Sequence, residues 1–108
     1  MTQILQVNFK FNVPREQYEN TVNPLAQQFA EVPGCIWKVW LMNEKDNEAG
    51  GIYLFADEAS VEQFKGSPLV ASVLSHPALS DFSIKQFEVL DTISRVTRAP
   101  LAATAAVA

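Results

Sequence analysis

The sequence is poor in the residues from which most metal and nucleophile sites are built. Its 108 residues include one cysteine, one histidine and four glycines. With Cys35 the only thiol, no intramolecular disulfide can staple the fold. In a strand-like stretch it reads as a buried, reduced thiol rather than a nucleophile. One histidine distant from one cysteine cannot make the usual zinc ligand sets. The glycines at 34, 50, 51 and 66 fit neither the dinucleotide nor the P-loop spacing, and no Ser-centred nucleophile elbow is present. Basic residues are few and scattered, 8 Lys and Arg against 12 Asp and Glu, for a net charge of −4. That balance excludes a nucleic-acid groove and an anionic membrane surface as expected partners. No apolar run reaches membrane-spanning length, and the first residues lack the basic-then-apolar pattern of a secretory signal. The expectation is a cytoplasmic protein without metal or organic cofactor, and not a hydrolase, kinase or nicotinamide-dependent dehydrogenase.

What is present is a patterned apolar chain. Hydrophobic residues make up 48% and charged residues 19%, which places it among folded globular proteins of one domain. The stretch 33–55 organises the rest. Val, Ile, Trp, Tyr and Phe flank a polar run at 43–47, the signature of two strands joined by a turn. Strict alternation along the first strand would set Cys35, Trp37, Val39 and Leu41 on one face and Ile36, Lys38, Trp40 and Met42 on the other. Each face then carries an indole, so both faces need cover.

Residues 3–11 alternate with Leu5, Val7, Phe9 and Phe11 on one side, which predicts a strand. Between 15 and 32, Tyr18, Val22, Leu25, Phe29 and Val32 recur at helical spacing and stay in phase across Pro24, which predicts a kinked helix; a fresh start capped by Asn23 is the alternative. Asp57 caps a short helix to Lys65, with Gly66 as its stop, and Ser67-Pro68 begins another apolar helical turn set ending at His76-Pro77. A last strand over 80–91 has mixed parity that a bulge near Gln86 would reconcile. The order strand, helix, strand, strand, helix, strand predicts an α+β ferredoxin-like βαββαβ sandwich over 3–91, with a four-stranded antiparallel sheet and both helices on one face. Residues 92–108 read as an arm and an Ala-rich tail. A bare apolar sheet face would be covered by a second copy, giving a homodimer.

Chemistry rests on an aromatic set with a few polar handles. Trp37, Trp40 and Tyr53 suit the wall of a flat apolar ligand, oriented by an indole N–H or a phenol. Tyr53 and His76 are the catalytic candidates. His76 is the one side chain that ordinarily titrates near neutrality, which suits a general base, though a solvated helix-end cap fits its position as well. Asn8 points away from the apolar side of its strand, where it could donate to a ligand oxygen or lie in a subunit contact. Gly50-Gly51 at the head of a strand marks a close backbone approach or a bulge.

The segments EVPGCIWKVW (31–40) and NEAGGIYLFAD (47–57), with LQVNFKFN (5–12) and NPLA (23–26) before them, resemble the YdhR-like monooxygenase family. The likeness covers about residues 3–90, is close in the hairpin, and departs from the pattern over 65–80 and in the tail. The resemblance implies the dimeric α/β barrel shared with cofactor-independent antibiotic-biosynthesis monooxygenases and haem-degrading enzymes. Trp37, Trp40 and Tyr53 match the family pattern by position; Asn8 and His76 come from chemistry alone. The functions implied, in order, are a cofactor-independent monooxygenase acting on a flat aromatic or polycyclic phenol in an apolar pocket between sheet and helices, a non-catalytic module binding an aromatic metabolite, and a haem-binding or haem-degrading enzyme with His76 as axial ligand.

Overall fold

The computed structural model describes residues 2–101. Four strands, β1 (Gln3–Phe11), β2 (Cys35–Asn43), β3 (Glu48–Phe55) and β4 (Leu79–Glu88), form one sheet in the order β2-β3-β1-β4. Every neighbouring pair is antiparallel. This is the ferredoxin-like α+β arrangement that the alternation predicts. The helices α1 (Arg15–Val22), α2 (Ala26–Ala30), α3 (Glu58–Lys65) and α4 (Pro68–Leu74) complete it, with a short α5 (Asp91–Val96) after the last strand.

The helix-facing side of the sheet carries two apolar clusters. Leu5, Tyr53 and Phe55 meet Phe29, Val61 and Phe64 in one, and Phe9, Phe11 and Ala49 meet Tyr18 in the other. Phe55, Leu5 and Val61 are almost wholly removed from water, each contributing about 1.5–3 kcal/mol by burial. Local chemistry sets the helix boundaries. Asp57 Oδ1 accepts from the Ser60 N–H at 2.8 Å, and Ser67 Oγ accepts from the Val70 N–H at 3.3 Å, so each side chain serves an N–H that lacks an intrahelical partner. Around Pro24 the backbone stays right-handed and tightens to a 3₁₀ turn, Asn23–Leu25, between α1 and α2. The apolar stripe therefore continues through a kink. Gly34, at φ 79°, ends this segment where a Cβ would collide with the Ser60 side chain.

Two irregularities change which residues face the helices. In β2 the register slips between Cys35 and Trp37: Cys35 pairs with Phe55 and Trp37 with Leu54, leaving Ile36 extra. The strict alternation is thereby corrected at its first two residues. Cys35 joins the helix-side core, and Ile36 packs with Trp37 on the other face. In β4 the irregularity lies near Asp81, which has φ 55°, rather than near Gln86. Mixed parity in the sequence located the existence of a bulge but not its place.

Residues 99–101 pack back onto the sheet. Following α5, the Trp37 indole N–H donates to the Pro100 carbonyl at 2.8 Å, and Leu101 is buried with Leu54 and Val89. One end of the helix-free face is thus covered by the protein's own C-terminal segment. The Ala-rich stretch 102–108 lies outside the described residues. Among the described residues no helix is long and apolar enough to cross a membrane.

Candidate functional site

A cavity of about 300 Å³ opens between the sheet and the helices. Its floor is Val7 and Phe9 of β1, Lys38 and Trp40 of β2, and Tyr53 of β3; Tyr18, Val22, Leu25 and Phe29 close one side, and Val73, His76 and Leu79 close the other. The floor exists because alternate strand residues share a face, and the kink at Pro24 lets one apolar stripe bring both Tyr18 and Phe29 over it. Phe29 stands edge-on to Trp40, with ring centroids 5.3 Å apart, and tilts 6.1 Å from Tyr53. These are favourable aromatic geometries, and they leave flat walls.

Three of the five site residues expected from the sequence line this cavity: Trp40, Tyr53 and His76. Trp37 and Asn8 do not. Trp37 alternates with Lys38 and Trp40 and pairs with Leu54, which puts it on the helix-free face, where its indole is engaged by Pro100. Asn8 lies on that face too, its Oδ1 accepting from Gln6 Nε2 at 2.9 Å. Both positions are therefore separated from the cavity by the thickness of the sheet.

Tyr53 is 5% exposed, and burial pushes its phenol well above the ordinary tyrosine range. Its hydroxyl makes no protein hydrogen bond among the described residues, so it is free to donate to a ligand. Tyr18 is likewise pushed up, to about 12, by burial. His76 follows α4, and its Nδ1 accepts from the Ala78 N–H at 3.1 Å. That bond fixes the tautomer: the neutral ring carries its proton on Nε2, so it acts as a donor there.

The residue that sequence reasoning passed over is Lys38. Its ammonium sits 3.5 Å from the Phe29 ring centroid, 3.3 Å from that of Trp40 and 4.7 Å from that of Tyr53. No carboxylate pairs with it among the described residues. Desolvation lowers its pKa from 10.5 to about 7, with a smaller opposing effect from Cys35. Burial in turn raises the Cys35 thiol, partly offset by the lysine's charge. Part of the signal was in the sequence: Lys38 shares its parity with Trp40, so a charged side chain had to share a sheet face with an indole. No group of three or more His, Cys, Asp or Glu among the described residues could hold a metal ion.

A four-stranded antiparallel sheet of this order with helices on one face is the α+β ferredoxin-like fold, and proteins described as antibiotic-biosynthesis monooxygenases share it. Solved structures bear this out. The cofactor-independent oxygenase SnoaB from Streptomyces nogalater superimposes with a TM-score of 0.68 at 20% identity, over 85% of this chain and 96% of that one. A Deinococcus radiodurans protein described as a "putative antibiotic biosynthesis monooxygenase" gives 0.69 at 13%, over 83% and 94%. MhuD, the haem degrader of Mycobacterium tuberculosis, solved with two haems in its active site, gives 0.63 at 15%, over 81% and 95%. No curated protein matches the sequence. Residues 4–100 match the family described as "Putative mono-oxygenase ydhR", and the chain belongs to that family.

Proposed function

We propose that the protein is an oxygenase that oxidises a flat phenolic or polycyclic small molecule with O2, using neither metal nor flavin. The observation that carries this reading is the cavity itself: aromatic walls from Phe29, Trp40 and Tyr53, with Lys38, Tyr53 and His76 among the few polar groups of a mostly apolar lining. Family membership supports the reaction class. Such a substrate needs little from the protein beyond loss of a proton, because its carbanion or phenolate can itself give an electron to O2. For an anthrone-type ring the balance closes without a co-reductant: the CH2 group becomes C=O, one oxygen atom enters the product, and the other leaves as water.

In this reading Trp40 and Phe29, packed edge to face, wall the ring system and exclude water, which strengthens every polar contact made inside. The Tyr53 hydroxyl and the His76 Nε2–H serve as donors to the developing oxyanion. His76 is thus assigned as a donor rather than a base, since its other nitrogen is occupied by Ala78. A purely passive binding module needs no titratable group at the ligand, whereas Tyr18, Lys38, Tyr53 and His76 line this cavity. Haem held by His76 fits less well. An iron bond at Nε2 would require the proton to move to Nδ1 and the Ala78 bond to be lost.

Two copies joined through their helix-free faces complete the proposed assembly. Val39 and Phe87 are each 49% exposed there, and a second copy would remove them from water. Oxygen uptake on a panel of anthrones and hydroxyanthracenes tests the function. Uptake above the protein-free rate, lost in Tyr53→Phe, is expected; no excess uptake across the panel would overturn it.

A further inference from the structure

The geometry points to a ligand that binds as a planar aromatic monoanion, with the Lys38 ammonium as its counter-ion. The inference deepens the oxygenase reading by naming the charge state of what the cavity takes, and it rests on that reading for the aromatic part. An ammonium has three donors and needs acceptors. Here it meets only the faces of Phe29, Trp40 and Tyr53, which offer quadrupole attraction but no hydrogen-bond acceptor. Placing a lysine there without a carboxylate costs desolvation that the fold does not recover. A phenolate or carboxylate entering the cavity would supply the missing charge and the missing acceptor together.

Gly51 shows that the lysine's place is built into the sheet. It pairs with Val7 and Trp40, both of which face the cavity, so a side chain at 51 would point the same way. A Cβ there would come within 2.7 Å of Lys38 Cε and 3.3 Å of the Val39 carbonyl oxygen. The φ of Gly51 is not in the left-handed region. Space, not backbone freedom, is what glycine provides: a trough through which the lysine stem crosses β3 toward Tyr53.

The titratable groups facing the amine are few. Cys35 lies on its own strand, Tyr53 on β3, Tyr18 on α1 and His76 after α4. None is a carboxylate, so an anionic ligand would meet no resident negative side chain of that kind. Binding the anion recharges the amine. The complex therefore takes up a proton wherever the empty site holds Lys38 neutral, and affinity falls as pH rises. The same amine, when neutral, can accept the phenolic proton of a ligand that arrives uncharged, leaving the same ion pair with no other reagent needed.

The test compares 2-naphthoate with its neutral isostere 2-naphthamide by calorimetry at pH 7, in two buffers of different ionisation enthalpy. Naphthoate is expected to bind at least about tenfold more tightly, with proton uptake. Lys38→Met should erase the difference and Lys38→Arg should keep most of it. Gly51→Ala, which displaces the stem while leaving the amine in the protein, should reduce it. Between pH 7 and 9 naphthoate affinity should fall by about tenfold or more while naphthamide affinity stays level. Equal binding of the two ligands in the parent protein overturns the inference and leaves the aromatic cavity standing. Binding of neither overturns both.

Discussion

Lys38 and Tyr53 occupy adjacent strands and the same face, yet burial acts on them in opposite directions. It favours the uncharged form of each, lowering the amine and raising the phenol. The consequence for stability follows from proton counting. Between pH 7 and 10.5 an unfolded chain keeps the lysine proton that the folded chain has begun to release, so stability rises with pH there. Cys35 and Tyr18 work the other way from about pH 9 upward, because their folded forms hold protons that the unfolded chain loses. The clean window is therefore pH 7 to 8.5, where denaturant titration should show stability increasing by on the order of 1 kcal/mol. Lys38→Met should flatten that slope and raise stability at pH 7. A second residue-level test separates function from folding. Tyr53→Phe keeps the ring packed against Phe55 and Phe64 and deletes a hydroxyl without a protein partner. Its stability should change by less than about 0.5 kcal/mol, while oxygen uptake falls by about 10²-fold if the phenol donates to the oxyanion.

At the level of elements, the bulge at Ile36 decides which face Cys35 takes, while plain alternation from Trp37 onward leaves one indole on each face. The strand, its β-rich composition and its two-faced alternation are legible in the sequence. The extra residue is not, because a bulge depends on which carbonyl of β3 meets which N–H of β2. Alternation puts Trp37 and Trp40 on opposite faces, as observed, but does not say which of those faces the helices cover. The same limit applies to α5 and residues 99–101: their short, weakly patterned sequence gives no period, and long-range contacts place them, the Thr2 hydroxyl on Asp91 and Trp37 and Leu54 on residues 99–101. Elements with a cap and a period were readable. Asp57 and Ser67 announced α3 and α4, and Pro24 announced the kink. Lys38 was visible by parity, but a single charge in an apolar strand has no meaning until the helices above it are placed. Trp37→Phe removes the bond to Pro100, so thermal unfolding should show a loss of about 1 kcal/mol, with naphthoate affinity unchanged. Ser67→Ala should cost a similar amount through the α4 cap.

For the molecule as a whole, one face of the sheet is occupied by helices and the other is only partly covered by the C-terminal segment. Val39, Leu41, Ile52 and Phe87 remain at least partly exposed on that second face, beside the Gln6–Asn8 pair. A homodimer through this surface would give Asn8 the contact role that its position allows. Val39→Lys should then shift sedimentation from dimer to monomer while the far-ultraviolet spectrum is unchanged; a parent protein that sediments as a monomer at micromolar concentration contradicts the assembly. The helix-side chamber is a property of the single chain, so the chemistry proposed for it can be examined in either state. The most direct examination is turnover of an anthrone under ¹⁸O2 with mass analysis of the quinone formed. One ¹⁸O atom per quinone, formed at a rate that depends on Tyr53 and Lys38, is the expected result. A quinone formed no faster than without protein, or one whose new oxygen comes from water, would contradict oxygenation in this cavity.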